Sequence, residues 1–143
     1  EGEKLKEADM TRARVLEINT GNVVTLPKEF VDGIKQPFGL AILVMKDKNV
    51  KLYPVDSEVV MYLKLEIEKL SKSFLEELTT IFMKAGLDDI LFTSGICQAA
   101  DQCYYECYFT PQQLAVTVKD LDGFLNGITG VQKVVLEQVP VGE

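Results

Sequence analysis

The sequence predicts an α+β protein built from two modules. Three observations carry this expectation. A chain of 143 residues with 47% hydrophobic content has room for one ordinary domain or two small ones and is far too apolar to be a disordered chain. The length of the patterned segments changes near residue 57, from strand-sized runs packed closely together to longer elements. In the second part those elements follow the order strand, helix, strand, strand, helix, strand. No apolar run approaches the roughly 18 residues that a membrane span requires, so neither a membrane partner nor export is expected, and the location expected is cytoplasmic. Residues 1–10, EGEKLKEADM, have no hydrophobic period and read as a tail or remnant outside the fold.

The first module is expected over residues 11–56. Its elements are ARVLEI, a turn at Asn19-Thr20-Gly21-Asn22, NVVTL, a short helix opened by Pro27, a turn at Pro37-Phe38-Gly39, LAILVM, a turn at Asp47-Lys48-Asn49, and VKLYPV. Proline at the first helical position loses no hydrogen bond, because that N–H has no partner inside the helix, and Glu29 complements the helix dipole. Phe30, Val31 and Ile34 share one face and should dock the helix onto the strands. LAILVM is apolar on both faces. A four-stranded unit of this size cannot cover such a strand alone, so a second chain is the expected cover.

The stretch GNVVTLPKEF, followed by Ile34, the Pro-Phe-Gly turn and the closing VKLYPV, resembles the SpoVT/AbrB-like domain. Gly21, Val24, Thr25, Leu26, Pro27, Lys28 and Glu29 carry the likeness in order. The resemblance implies a swapped-hairpin β-barrel, to which each of two chains contributes a half, of the kind found in transcription regulators and antitoxins that bind DNA. It also implies that basic residues on the first strand and near the glycine turn meet phosphate. Arg12, Arg14 and Lys28 are then the candidate contacts, with Asn19 and Asn22 as turn donors. An arginine fork suits phosphate and positions a protein on DNA without reading its sequence. Thr20 stands before the glycine where the family often has a basic residue, and Phe38-Gly39 stands where it has Gly-Asp.

The second module is expected over residues 57–141, joined by the short Asp56-Ser57-Glu58. In VVMYLKLEI, Met61, Leu63, Leu65 and Ile67 alternate with Tyr62, Lys64 and Glu66, which describes a strand with one buried face. Ser73 with Glu76 reads as a capping box, and Phe74, Leu75, Leu78, Ile81, Phe82 and Ala85 then follow helical spacing to Gly86. ILFT and CYYECYF read as strands, with SGICQAADQ between them as a loop. Thr110-Pro111 reads as the cap of a second helix with Leu114, Val118, Leu121 and Leu125 on its apolar stripe, ended by Gly127 or Gly130. VQKVVLEQV closes the module. This βαββαβ order implies an antiparallel sheet with both helices on one face.

The corner KAGLDDILFTSG and the closing GITGVQKVVLEQV look like an ACT or ACT-like regulatory domain, which has a ferredoxin-like fold. That resemblance implies a small-molecule effector, an amino acid in many such domains, bound at a subunit interface. The turn before the first helix, usually glycine-bearing in those domains, is here Ser71, Lys72 and Ser73, which become the candidate ligand-binding residues. A serine there can donate to a carboxylate at a helix N-terminus or simply cap the helix.

Charge divides the same way. Residues 11–56 hold seven basic and five acidic groups, a net of +2, whereas residues 57–143 hold six basic and thirteen acidic, a net of −7. A polyanion would be accepted by the first module and repelled by the second. The chain has no histidine, no phosphate-binding loop and no nucleophile elbow, so an enzyme is not expected. Cys97, Cys103 and Cys107 lack the C-x2-C spacing of zinc sites, and no metal or other cofactor is expected. On a strand, Cys103 and Cys107 share a face about 13 Å apart and read as buried thiols, leaving Cys97 as the exposed, reactive one. The function expected is DNA-binding transcription regulation by a homo-oligomer with a small-ligand-sensing or oligomerising second module. The alternative is a protein-interaction module whose barrel is only a dimerisation clasp.

Overall fold

The computed structural model describes residues 25–141. The chain is α+β, and its described residues form six strands in two antiparallel sheets with three α-helices. It divides into two compact units, the first reaching to Asp56 and the second spanning Ser57–Pro140. ARVLEI, the glycine turn and the start of NVVTL lie outside the described residues.

In the first unit, helix α1 (Lys28–Ile34) begins one residue later than expected, with Pro27 itself as the N-cap residue (φ −57°, ψ 141°). Pro27 still serves the helix start, since its carbonyl accepts from the N–H groups of Phe30 and Val31. Lys35 ends the helix in the left-handed region at φ 51°. Val31 is about half exposed (49%) while Phe30 and Ile34 are more covered, so the expected docking face is narrower than three residues. Strands β1 (Phe38–Val44) and β2 (Asn49–Val55) form a hairpin in which Phe38 faces Val55 and Val44 faces Asn49. Phe38 and Gly39 thus belong to β1 rather than to a turn.

The second unit is built on β3 (Met61–Ile67), the inner strand of a sheet ordered β4-β5-β3-β6. Its flanks are β5 (Gln102–Phe109) and β6 (Val131–Gln138), and β4 (Thr93–Ala99) lies at the far edge beyond β5. The alternation of β3 is realised: Leu63, Leu65 and Ile67 are buried. Their cross-strand partners are Cys107, Tyr105 and Cys103 on one side and Leu136, Val134 and Val131 on the other. Helix α2 (Lys72–Ala85) brings Phe74, Leu78, Phe82 and Ala85 to this face, and α3 (Val118–Asn126) brings Leu121 and Leu125, so one core lies between the sheet and both helices.

Helix starts differ from the sequence reading. The cap of α2 is Ser71, whose side chain accepts from the Phe74 N–H, and not Ser73. Both serines have the right chemistry. Leu70, packed against the core, settles the phase by fixing the chain just before Ser71. Thr110-Pro111 opens only a 3-10 turn, Pro111–Gln113, and α3 starts at Val118 under Thr117, which accepts from the Asp120 N–H. The chain between them is tied elsewhere. The Gln113 amide bridges the Asp89 N–H and carbonyl, and the Ala115 N–H donates to Ala85 at 2.7 Å. Gly86, which ends α2 at φ +79°, is needed there because a Cβ would meet Gln113 O at 3.0 Å and Ala115 N at 3.1 Å.

Two substitutions separate these contributions in urea unfolding. Leu65→Ala, in the middle of the core, should lower stability by about 2–5 kcal/mol. Ser71→Ala should lower it by about 1 kcal/mol, and Ser73→Ala should have less effect, because Ser71 carries the cap.

Candidate functional site

The candidate DNA contacts Arg12, Arg14, Asn19 and Asn22 lie outside the described residues. Lys28 is on the exposed first turn of α1, where its ammonium donates to the Asp32 carboxylate at 2.6 Å. That hydrogen bond, with the Asp32 charge, raises the Lys28 ammonium above its ordinary value. The pair neutralises much of the positive charge a phosphate would meet. The exposed lysines of the β1–β2 turn, Lys46 and Lys48, stand on either side of Asp47.

Among the described residues of the first unit, one exposed surface is apolar. Alternation along the hairpin places Leu40 and Ile42 on one face, where both are buried. Ala41 and Leu43 lie on the other, opposite Leu52 and Val50. On that second face Leu43 is 64% exposed and Val50 61%, and Met45 at the turn is 79% exposed. Leu43 and Val50 are directly paired, so this is a contiguous patch rather than scattered side chains. Its sequence signal is the run LAILVM, with no polar residue in either phase.

The candidate ligand residues of the second unit are engaged in building α2. Ser71 caps the helix. Lys72 sits 4.0 Å from Glu76 in an exposed pair along the same helix, and Ser73 is an exposed first-turn residue. Structure brings the three together because they are consecutive, and no other element adds a polar partner to them among the interactions described.

Two features of the second unit were not read from the sequence. One is an open cleft of about 440 Å³ between α2 and α3, bordered by Glu77, Lys84, Gly123 and Phe124, where the Lys84 ammonium lies 4.0 Å from the Phe124 ring centre. The other is a disulfide between Cys97 and Cys103. SGICQAADQ is not a loop through Cys97: β4 runs to Ala99, and each pair from Thr93↔Cys107 to Cys97↔Cys103 is symmetric about residue 100. That symmetry, two cysteines each three residues from Ala100, was the signal available. Cys107 is the buried free thiol expected of it. Burial pushes it up to about 12 from 9.0, opposed by a hydrogen bond with Tyr105 and reinforced by the charge of Glu106.

The sheet face away from the helices carries Tyr62, Tyr104 and Tyr108 among charged groups that are already engaged. Tyr62 donates to Glu106 at 3.3 Å, Lys64 lies 4.9 Å from the Tyr104 ring centre, and Lys133 is 3.8 Å from Glu66. Burial, then the Glu106 charge, raises the Tyr62 phenol above its ordinary range. Among the described residues no cluster of cysteines and carboxylates could hold a metal ion, and no helix is long and apolar enough to cross a membrane. Neither a protein-family model nor a curated protein matches the sequence.

The Cys107 thiol gives a pH test. The unfolded chain releases this proton above pH about 9 while the folded chain holds it, so the contribution is present below 9.0 and is lost as pH rises toward 12. Thermal midpoints between pH 8 and about 11 should therefore fall more steeply for the parent chain than for Cys107→Ala, the slopes rather than the absolute values being compared.

Proposed function

We propose that the protein is a non-catalytic homo-oligomeric interaction module, in which the first unit clasps two chains through the β1–β2 hairpin. The observation that carries this reading is the patch of Leu43, Val50 and Met45, exposed on a hairpin whose opposite face is already buried. A two-stranded hairpin is marginal in water, and each large side chain taken fully out of water contributes roughly 1.5–3 kcal/mol. A second copy of the same hairpin is the occupant: it offers the same apolar row, as the swapped-hairpin arrangement of SpoVT/AbrB-like domains would. The second unit is proposed as a ferredoxin-like, ACT-like module, supported by the strand order β4-β5-β3-β6 with both helices on one face. Its acidic surface suits a protein partner better than a nucleic acid.

The second reading is a DNA-binding transcription regulator of the same architecture, favoured by the net +2 of residues 11–56 and by Lys46 and Lys48 on the hairpin turn. In this reading Arg12, Arg14, Asn19, Asn22 and Lys28 face the phosphates. A small effector acting near Ser71, Lys72 and Ser73 would then shift the spacing of the two clasped units and with it DNA affinity.

Sedimentation of the whole chain across a dilution series tests the clasp. The parent should self-associate, and the double variant Leu43→Asp, Val50→Asp should associate at least roughly thirty-fold more weakly, the ~2 kcal/mol of a buried hot-spot contact. A parent chain that stays monomeric at every concentration would sink the reading. For the second reading, Arg12→Ala with Arg14→Ala should weaken binding to a random duplex and flatten its dependence on salt by about 2 in slope for each chain bound. A parent chain that does not bind DNA even at low salt removes it.

A further inference from the structure

We propose that Cys97 and Cys103 form a thiol-exchange site, at which small-molecule thiols and disulfides open and close the tip of the β4–β5 hairpin. The two cysteines face each other across neighbouring antiparallel strands, six residues apart in sequence. Their environments are opposite. Cys97 is exposed on edge strand β4, whereas Cys103 is only 2% exposed and packs in the core beside its cross-strand neighbour Ile67. An attacking thiolate needs access to one sulfur and a departing thiolate on the other. Geometry therefore assigns the roles: Cys97 takes the incoming sulfur, and Cys103 leaves.

The exchange balances without any other redox partner. A small thiolate attacks the Cys97 Sγ, the Cys97–Cys103 bond breaks, and Cys103 departs with the electron pair and takes a proton from solvent. A second small thiolate attacks the outer sulfur of the resulting mixed disulfide, releasing the small-molecule disulfide and the Cys97 thiolate. Two thiols have then been oxidised and one protein disulfide reduced. In reverse, a small-molecule disulfide thiolates Cys97, and the Cys103 thiolate, once formed, displaces it to restore the bond. Cys107 takes no part, because burial keeps it protonated and out of reach.

Opening the bond changes the fold locally. Below the cysteines β4 keeps its ladder to β5 from Thr93 to Ile96, and Gly95 stays against Leu70. Above them the register shifts between Cys97 and Ala99, so the crosslink stands where regular pairing ends. β4 is also paired on one side only. Reduction thus frees the turn and the end of an edge strand while the core stays packed.

The test uses the full chain equilibrated with reduced and oxidised glutathione in varying ratio, followed by thiol alkylation, intact mass and hydrogen exchange. The expected result is a reversible transition of the Cys97–Cys103 bond within the series, with exchange in residues 96–102 rising several-fold on reduction and exchange in Met61–Ile67 unchanged. Cys103→Ser should trap one glutathione on Cys97. Cys97→Ser, a change at an exposed position that leaves the core intact, should take none on Cys103. A bond that stays fully closed or fully open at every ratio overturns the proposal. So does equal exchange in the two states, or glutathione found on Cys103 in the Cys97→Ser chain.

Discussion

The second unit depends on the one-sided apolarity of β3. Leu63, Leu65 and Ile67 point the same way, and because β3 is hydrogen-bonded on both edges, its two neighbours must present their own apolar rows on that side. Cys103, Tyr105, Cys107 and Phe109 do so from β5, and Val131, Val134 and Leu136 from β6. Water must then be excluded from a single face, and the two helices, each with an apolar stripe, are the only long elements available to do it. The opposite face is left with Tyr62, Lys64, Glu66 and their neighbours, which is why it is a lattice of paired charges and aromatic rings rather than a second core.

The first unit poses the contrary problem. β1 is apolar in both phases, so covering Leu40 and Ile42 necessarily leaves Leu43 facing out, and pairing with β2 adds Val50 beside it. A strand of this kind is ordinary in a sheet covered on both sides and awkward on the surface of a small unit. Alternation leaves β3 a single apolar face to cover, whereas β1, apolar in both phases, leaves apolar side chains on both faces of its hairpin. Charge sharpens the contrast. Residues 57–143 carry a net charge of −7 against +2 for residues 11–56, so the two units differ in charge as well as in the cover of their apolar faces.

The cysteines show how strand register decides chemistry among side chains that are equally buried. Cys107 and Cys103 lie on one strand face four residues apart, yet Cys107 is held as an inert protonated thiol by its surroundings while Cys103 is bonded across to the edge strand. What separates them is the residue opposite: Thr93 for Cys107, and Cys97 for Cys103. Strand register, set by the turn at residue 100, chose the pairing.

By itself the sequence determined the α+β class, the alternation of β3, the helix that ends at Gly86, the apolar run of β1 and the exclusion of histidine chemistry, because each is written in local periodicity or composition. Helix starts were less legible. Ser71 and Ser73 have equal capping chemistry, and Thr110-Pro111 and Thr117 are both sound starts, so the winners, Ser71 and Thr117, were set by the packing of Leu70 and by the ties of Gln113 to Asp89 and of Ala115 to Ala85 at the end of α2. Lys28, a candidate phosphate contact by resemblance, is paired with Asp32 four residues on along the helix. The closure of the disulfide, the α2–α3 cleft and the choice of Ser71 over Ser73 as the cap belong to tertiary structure. Each depends on which residues of separate elements or turns come within a few ångströms, and a one-residue change of register would have placed Cys97 on the opposite face of its strand.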